Sequence, residues 1–126
     1  MAELKVIDSI TELAPHDAGC IAVSGSHGGL SSARYAAATR PMLAVFNDAG
    51  VGKDGAGLAG LGLLQAQGVA ACTVAHSSAR IGDARSTLHD GIISHANECA
   101  AALGIAPGQR CEHAVAAVQD NTRRPT

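Results

Sequence analysis

The chain reads as a single α/β domain with a largely parallel or mixed sheet, flanking helices and an N-terminal β region. Three observations predict this. Apolar runs of strand length occupy residues 20–25, 42–46 and 69–75, and each ends in a polar turn. Segments of helical length separate them, in the alternation that builds βαβ units. At 126 residues the chain suits one core and one domain, set here at residues 1–120 with a polar tail at 121–126. If the three strands are parallel, their turns share one sheet edge, the place where open α/β folds bind ligands.

In order along the chain, residues 4–10 alternate weakly and read as a strand closed by the turn Pro15-His16-Asp17-Ala18-Gly19. Gly28-Gly29 ends the strand at 20–25, and residues 30–39 form a helix. Pro41 precedes the strand at 42–46, and the loop Asn47-Asp48-Ala49-Gly50-Val51-Gly52 follows it. A helix is predicted over 53–67, with Leu58, Leu61 and Leu64 on one side and Gly68 as its stop. Gly55, Gly57, Gly60 and Gly62 interrupt it, at roughly 1 kcal/mol each relative to Ala. So many glycines signal close packing against a sheet, a second subunit or a ligand. After the strand at 69–75 and a loop or short strand over 77–83, Ser86 or Thr87 is placed to cap a helix running to Leu103. Leu88, Ile92, Ala96, Cys99 and Leu103 would share its apolar face. Gly104 ends that helix, Pro107-Gly108 turns the chain, and a last helix spans 110–118 before a frayed tail.

Composition narrows the function. The net charge is −2, there are two lysines (Lys5 and Lys53), and aromatics amount to one Tyr and one Phe. Nucleic-acid binding needs clustered cations and stacking rings, so it is disfavoured. No run of about 18 apolar residues would span a membrane. Met1-Ala2-Glu3-Leu4-Lys5 lacks the pattern of a secretory signal, so a cytoplasmic protein is expected. Cys20, Cys72, Cys99 and Cys111 form no CxxC pair and read as small apolar residues. A core of Ala, Val, Leu and Ile is thin, and association into a homo-oligomer would add burial.

The turns carry the candidate chemistry. Ser24-Gly25-Ser26-His27-Gly28 fits small-x-nucleophile-x-small between strand and helix, the pattern of a nucleophile elbow. Ser26 is the candidate nucleophile, with N–H groups near Gly28 and Gly29 as the oxyanion or ligand cradle. The same residues also suit a plain structural bend. A serine needs a base. His76 could face it across the edge, Lys53 could form a Ser–Lys pair, and His27, as the next residue, is expected to point away. Asp48 can orient a histidine or act as acid or base, while Asn47 and Asp48 can equally cap and tighten the loop. A lysine at a helix start opposes the macrodipole, which suggests that Lys53 meets an anion or Asp48. Arg80 suits a substrate carboxylate or phosphate beside Ser78, and Asp83 is placed to pair with Arg80 or Arg85. His27, Asp48 and His76 lack metal-ligand spacing, and His95 and Cys99 stand four apart with Cys99 on an apolar face. No metal and no cofactor is expected.

From about Met42 onward the chain resembles the YunC-like family of small bacterial and archaeal domains of unknown function. The resemblance rests on the apolar strand into Asn47-Asp48, on Gln67-Gly68-Val69-Ala70, and on Leu103-Gly104-Ile105-Ala106-Pro107-Gly108 before a final helix. It implies an α/β domain that associates through an N-terminal β region, and it brings no catalytic residues. The chain departs from the family at residues 24–29 and 78–83.

The expected function is enzymatic, on a small anionic metabolite. Its most concrete form is hydrolysis of an amide or ester by Ser26, with His76 or Lys53 as base. Isomerase or lyase chemistry could use the same residues. In the non-catalytic alternative, an oligomeric protein holds a ligand with Gly28, Gly29, Asn47 and Arg80.

Overall fold

The computed structural model describes residues 2–123, so residues 124–126 of the expected tail lie outside it. Five strands form one sheet in the order β1-β2-β3-β4-β5. They are β1 (Leu4–Ile7), β2 (Ile21–His27), β3 (Leu43–Asn47), β4 (Ala70–Val74) and β5 (Ile93–Ala96). The first four are mutually parallel and β5 runs antiparallel to β4, so the α/β class and mixed sheet hold.

Alternation along the strands builds two apolar layers. Ile21, Val23, Leu43, Val45, Cys72 and Val74 pack on one face against Ala100, Cys111, Val115 and Val118. Ala22, Ala44, Phe46 and Ala71 pack on the other against Ala33, Ala36, Leu61 and Leu64. Helices α1 (Leu30–Thr39) and α2 (Ala59–Ala66) thus cover one face. Helices α3 (Ala84–Asp90), α4 (Glu98–Ala102) and α5 (Cys111–Arg123) follow β4, and α3 and α5 lie on the opposite face. Cys20, Cys72 and Cys111 are buried and Cys99 is half-buried. Burial pushes the Cys72 thiol well up and the Cys111 thiol up to about 12.

Several boundaries depart from the sequence reading. β1 stops at Ile7, because Ser9 caps a short 3-10 turn over Ile10–Glu12. β2 continues through Ser26 and His27, where His27 still pairs with Asn47. The helix expected over 53–67 begins at Ala59; Lys53–Gly55 is one 3-10 turn with Asp54 at φ 56°. The long helix ending at Leu103 is instead α3, β5 and α4. Gly91 has no room for a side chain, since a Cβ there would meet the Thr87 carbonyl and the Val74 side chain. The chain therefore turns at Gly91, and the β-branched Ile93 enters the sheet. The last helix runs past 118 to Arg123.

Candidate functional site

The crossovers place a crevice at one point of the parallel edge. After β3 the chain passes to the α2 face, and after β4 it passes to the α3 face. Neighbouring connections that leave on opposite faces part above the sheet, which is the physical basis of ligand binding at such an edge. Asp48 follows β3 here and His76 follows β4.

Asp48 is 4% exposed. Its Oδ1 accepts the Gly50 N–H at 2.8 Å and the His76 N–H at 3.0 Å, and lies 3.4 Å from His76 Nδ1. Burial opposes ionisation of this carboxyl. The bonds from Gly50 N–H, the Ser94 hydroxyl and His76 N–H, with attraction to the His76 ring, outweigh it and hold the pKa below the ordinary carboxylate value. The loop beneath is tightly wound. Asn47 Oδ1 accepts the Ala49 N–H and its amide donates to the Ala79 carbonyl. Ala49, Val51 and Asp54 all have positive φ, at 52°, 69° and 56°. For a β-branched residue such as Val51 that conformation is strained, and such strain gathers at functional sites. Gly57 packs directly on the Asp48 carbonyl, so no side chain fits there.

Residues 79–83 then cross the edge as a strap. Ala79 is held by Asn47, Gly82 N–H donates to the Gly25 carbonyl at 2.7 Å, and Ala84 N–H donates to Asp8 Oδ1 at 3.0 Å. On the His76 side of the strap lies an open cavity of about 560 Å³, lined by His76, Ser77, Ser78, Arg80, Ser86 and Asp90 among others. Ser78 is structural: its hydroxyl donates to the Ala75 carbonyl and accepts the Ile92 N–H. Arg80 and Asp90 are exposed and take part in none of the ion pairs among the described residues. Asp83 does not pair with Arg80 or Arg85; it caps α3 by accepting the Ser86 N–H.

The remaining candidates sit apart from this cavity. Ser26 is a strand residue, and its hydroxyl accepts the Ile10 N–H at 3.0 Å. The turn comes two residues later than an elbow requires. Ser26 lines a second cavity, of about 320 Å³, together with His27, Asp8 and Ser32, so it does not face His76. His27 borders the same cavity, and its Nδ1 accepts the Gly29 N–H. Gly28 N–H donates to the Asn47 carbonyl, so neither glycine amide is left for an oxyanion. A Cβ on Gly28 or Gly60 would collide with the facing backbone of the other helical connection, which makes these glycines packing residues. Lys53 is exposed, lies outside both cavities, and is absent from the ion pairs among the described residues.

Ser77, Ser86, Asp90 and Ser94 were not legible as site residues. Ser86 and Asp90 stand one helical turn apart on α3, a spacing masked by reading 86–103 as a single apolar-faced helix. Among the described residues no group of three or more His, Cys, Asp or Glu side chains converges as metal ligands. No helix of the described residues is long and apolar enough to cross a membrane. No family model, curated protein or solved structure matches the chain.

Proposed function

We propose that this chain is a small-molecule enzyme in which His76, held by Asp48, moves a proton on an anionic metabolite anchored by Arg80. The supporting observation is the contact between a buried carboxylate and an exposed imidazole at the lip of a cavity. A carboxylate beside Nδ1 favours the tautomer with its proton there. It leaves the other ring nitrogen to act as general base and stabilises the imidazolium that forms. The reaction is an acid–base step, either isomerisation, elimination, or hydrolysis of an ester or amide by activated water. The covalent version through Ser26 has less support, because Ser26 lines a different cavity from His76 and Lys53 lines neither. The reading includes a cytoplasmic location and a homo-oligomer, in keeping with the low net charge and a core short of large side chains.

A non-catalytic ligand-binding protein is the second reading, favoured by the bracing bonds that Asp48 makes to its own loop. The two separate in an NMR assay of turnover over small carboxylate- and phosphate-bearing esters, amides and hydroxy acids. The enzymatic reading expects a substrate among them, with His76→Gln slowing it by roughly 10²-fold or more and Arg80→Ala raising KM. Full turnover by His76→Gln overturns the role of His76. Saturable binding with no turnover favours the second reading.

A further inference from the structure

We propose that the cavity beside His76 takes a small zwitterion: a ligand with an ammonium group, held by Asp90, as well as the carboxylate held by Arg80. The proposal rests on the reading of Arg80 as the anion anchor and assigns the second charge of the substrate.

Arg80 belongs to the strap and Asp90 to the last turn of α3, yet both line this one cavity. One hydroxyl ties them together. Ser86 Oγ accepts the Arg80 backbone N–H at 3.0 Å and donates to Asp90 Oδ2 at 3.2 Å. Ser86 and Asp90 stand four residues apart, so they are neighbours on one face of α3. The two opposite charges are therefore fixed at the same opening, and they do not pair with each other. The Arg80 guanidinium donates to no other described group. A carboxylate at the C-terminal end of a helix meets the negative end of the dipole, so Asp90 does not serve α3 electrostatically.

Arg80 and Asp90 are the cation and the anion of the lining, with His76 as its titratable neighbour. A ligand bearing only negative charge would be drawn by Arg80 and repelled by Asp90. An ammonium group on the same ligand turns that repulsion into attraction, and the pair then selects against simple anions and simple amines alike. Ala49, Ala79 and Ile81 give the cavity an apolar part that suits a short aliphatic body between the two charged groups. The class is thus an amino acid, or a small derivative that keeps its free amine and carboxylate.

The test is a ¹H–¹⁵N NMR titration of the full chain with glycine, β-alanine and γ-aminobutyrate, against propionate and propylamine as singly charged controls. At least one zwitterion is expected to shift the Ser77, Arg80 and Ser86 amides saturably, and to bind roughly tenfold more tightly than either control. Asp90→Asn should lower zwitterion binding to the level of propionate while strengthening propionate itself. Arg80→Ala should lower it to the level of propylamine. His76→Gln should bind the zwitterion as the wild type does. Absence of saturable shifts with all three zwitterions, propionate binding as tightly as they do, or zwitterion binding unchanged in Asp90→Asn overturns the proposal. Zwitterion binding without turnover removes the acid–base reading and leaves this site. Turnover of purely anionic substrates, with Asp90→Asn unimpaired, removes the zwitterion and leaves the acid–base reading.

Discussion

Asp48 carries both the proposed chemistry and part of the local fold, and the two can be separated by substitution. Asp48→Ala would leave the Gly50 and His76 amides without an acceptor, at a cost of about 2–3 kcal/mol. Asp48→Asn keeps an acceptor and should retain most stability while losing turnover through a misoriented His76. The pH dependence has a definite sign. The folded-state pKa is below its ordinary value, so ionised Asp48 stabilises the fold above that ordinary value, near 3.8. The contribution disappears as pH falls through the lower folded value. Acid denaturation below about pH 4 should therefore be shallower in Asp48→Asn than in the wild type, measured by circular dichroism; identical acid limbs would refute the linkage. Asp48 and His76 were readable beforehand because polar residues at the ends of apolar parallel strands have one edge available to them. Ser26 was misplaced because its elbow depended on where β2 ends. That was decided by pairing of His27 with Asn47 and by the Ile10 amide, both distant in sequence.

Between Ala84 and Ala102 two helices and a strand replace one anticipated helix, and two residues account for it. A Cβ at Gly91 would collide with the Thr87 carbonyl and the Val74 side chain. Gly91→Val should disrupt this junction by overpacking, at about 2 kcal/mol or more, with β5 amides losing exchange protection first. Asn97 is buried and ties three elements together. Its Oδ1 accepts from Ala71 and Ala100, and its Nδ2 donates to the Leu61 and Val69 carbonyls. Asn97→Ala strands several of these groups at once and should cost about 3 kcal/mol or more in chemical denaturation. A cost below 1 kcal/mol would mean that water replaces the side chain. In a single sequence the run Leu88, Ile92, Ala96, Cys99, Leu103 fits a helical face as well as it fits a helix, a strand and a helix. Short apolar runs are ambiguous in this way, and the glycine with β-branched neighbours was the signal that decides it.

Across the whole domain, two thin cores share one sheet, so each loses its partner if the sheet goes. Leu64→Ala on the α2 face and Val115→Ala on the α5 face should both lower a single thermal transition, by about 2–4 kcal/mol each. Two separate transitions would contradict a shared core. The proposed homo-oligomer predicts a light-scattering mass that is a multiple of 12.6 kDa; one chain mass would overturn it. The order of apolar runs and turns was enough to predict the α/β class and the strands β2, β3 and β4, and to place their turns on one edge on condition that those strands are parallel, which their pairing satisfies. These follow from local patterning, because period and turn chemistry act over a few neighbouring residues. The tertiary structure alone decided that His76 meets Asp48, that Ser26 lies in another cavity, and that the strap from Ala79 to Asp83 separates them. Those outcomes depend on which face each connection takes and on hydrogen bonds between residues far apart along the chain, and no local pattern encodes either.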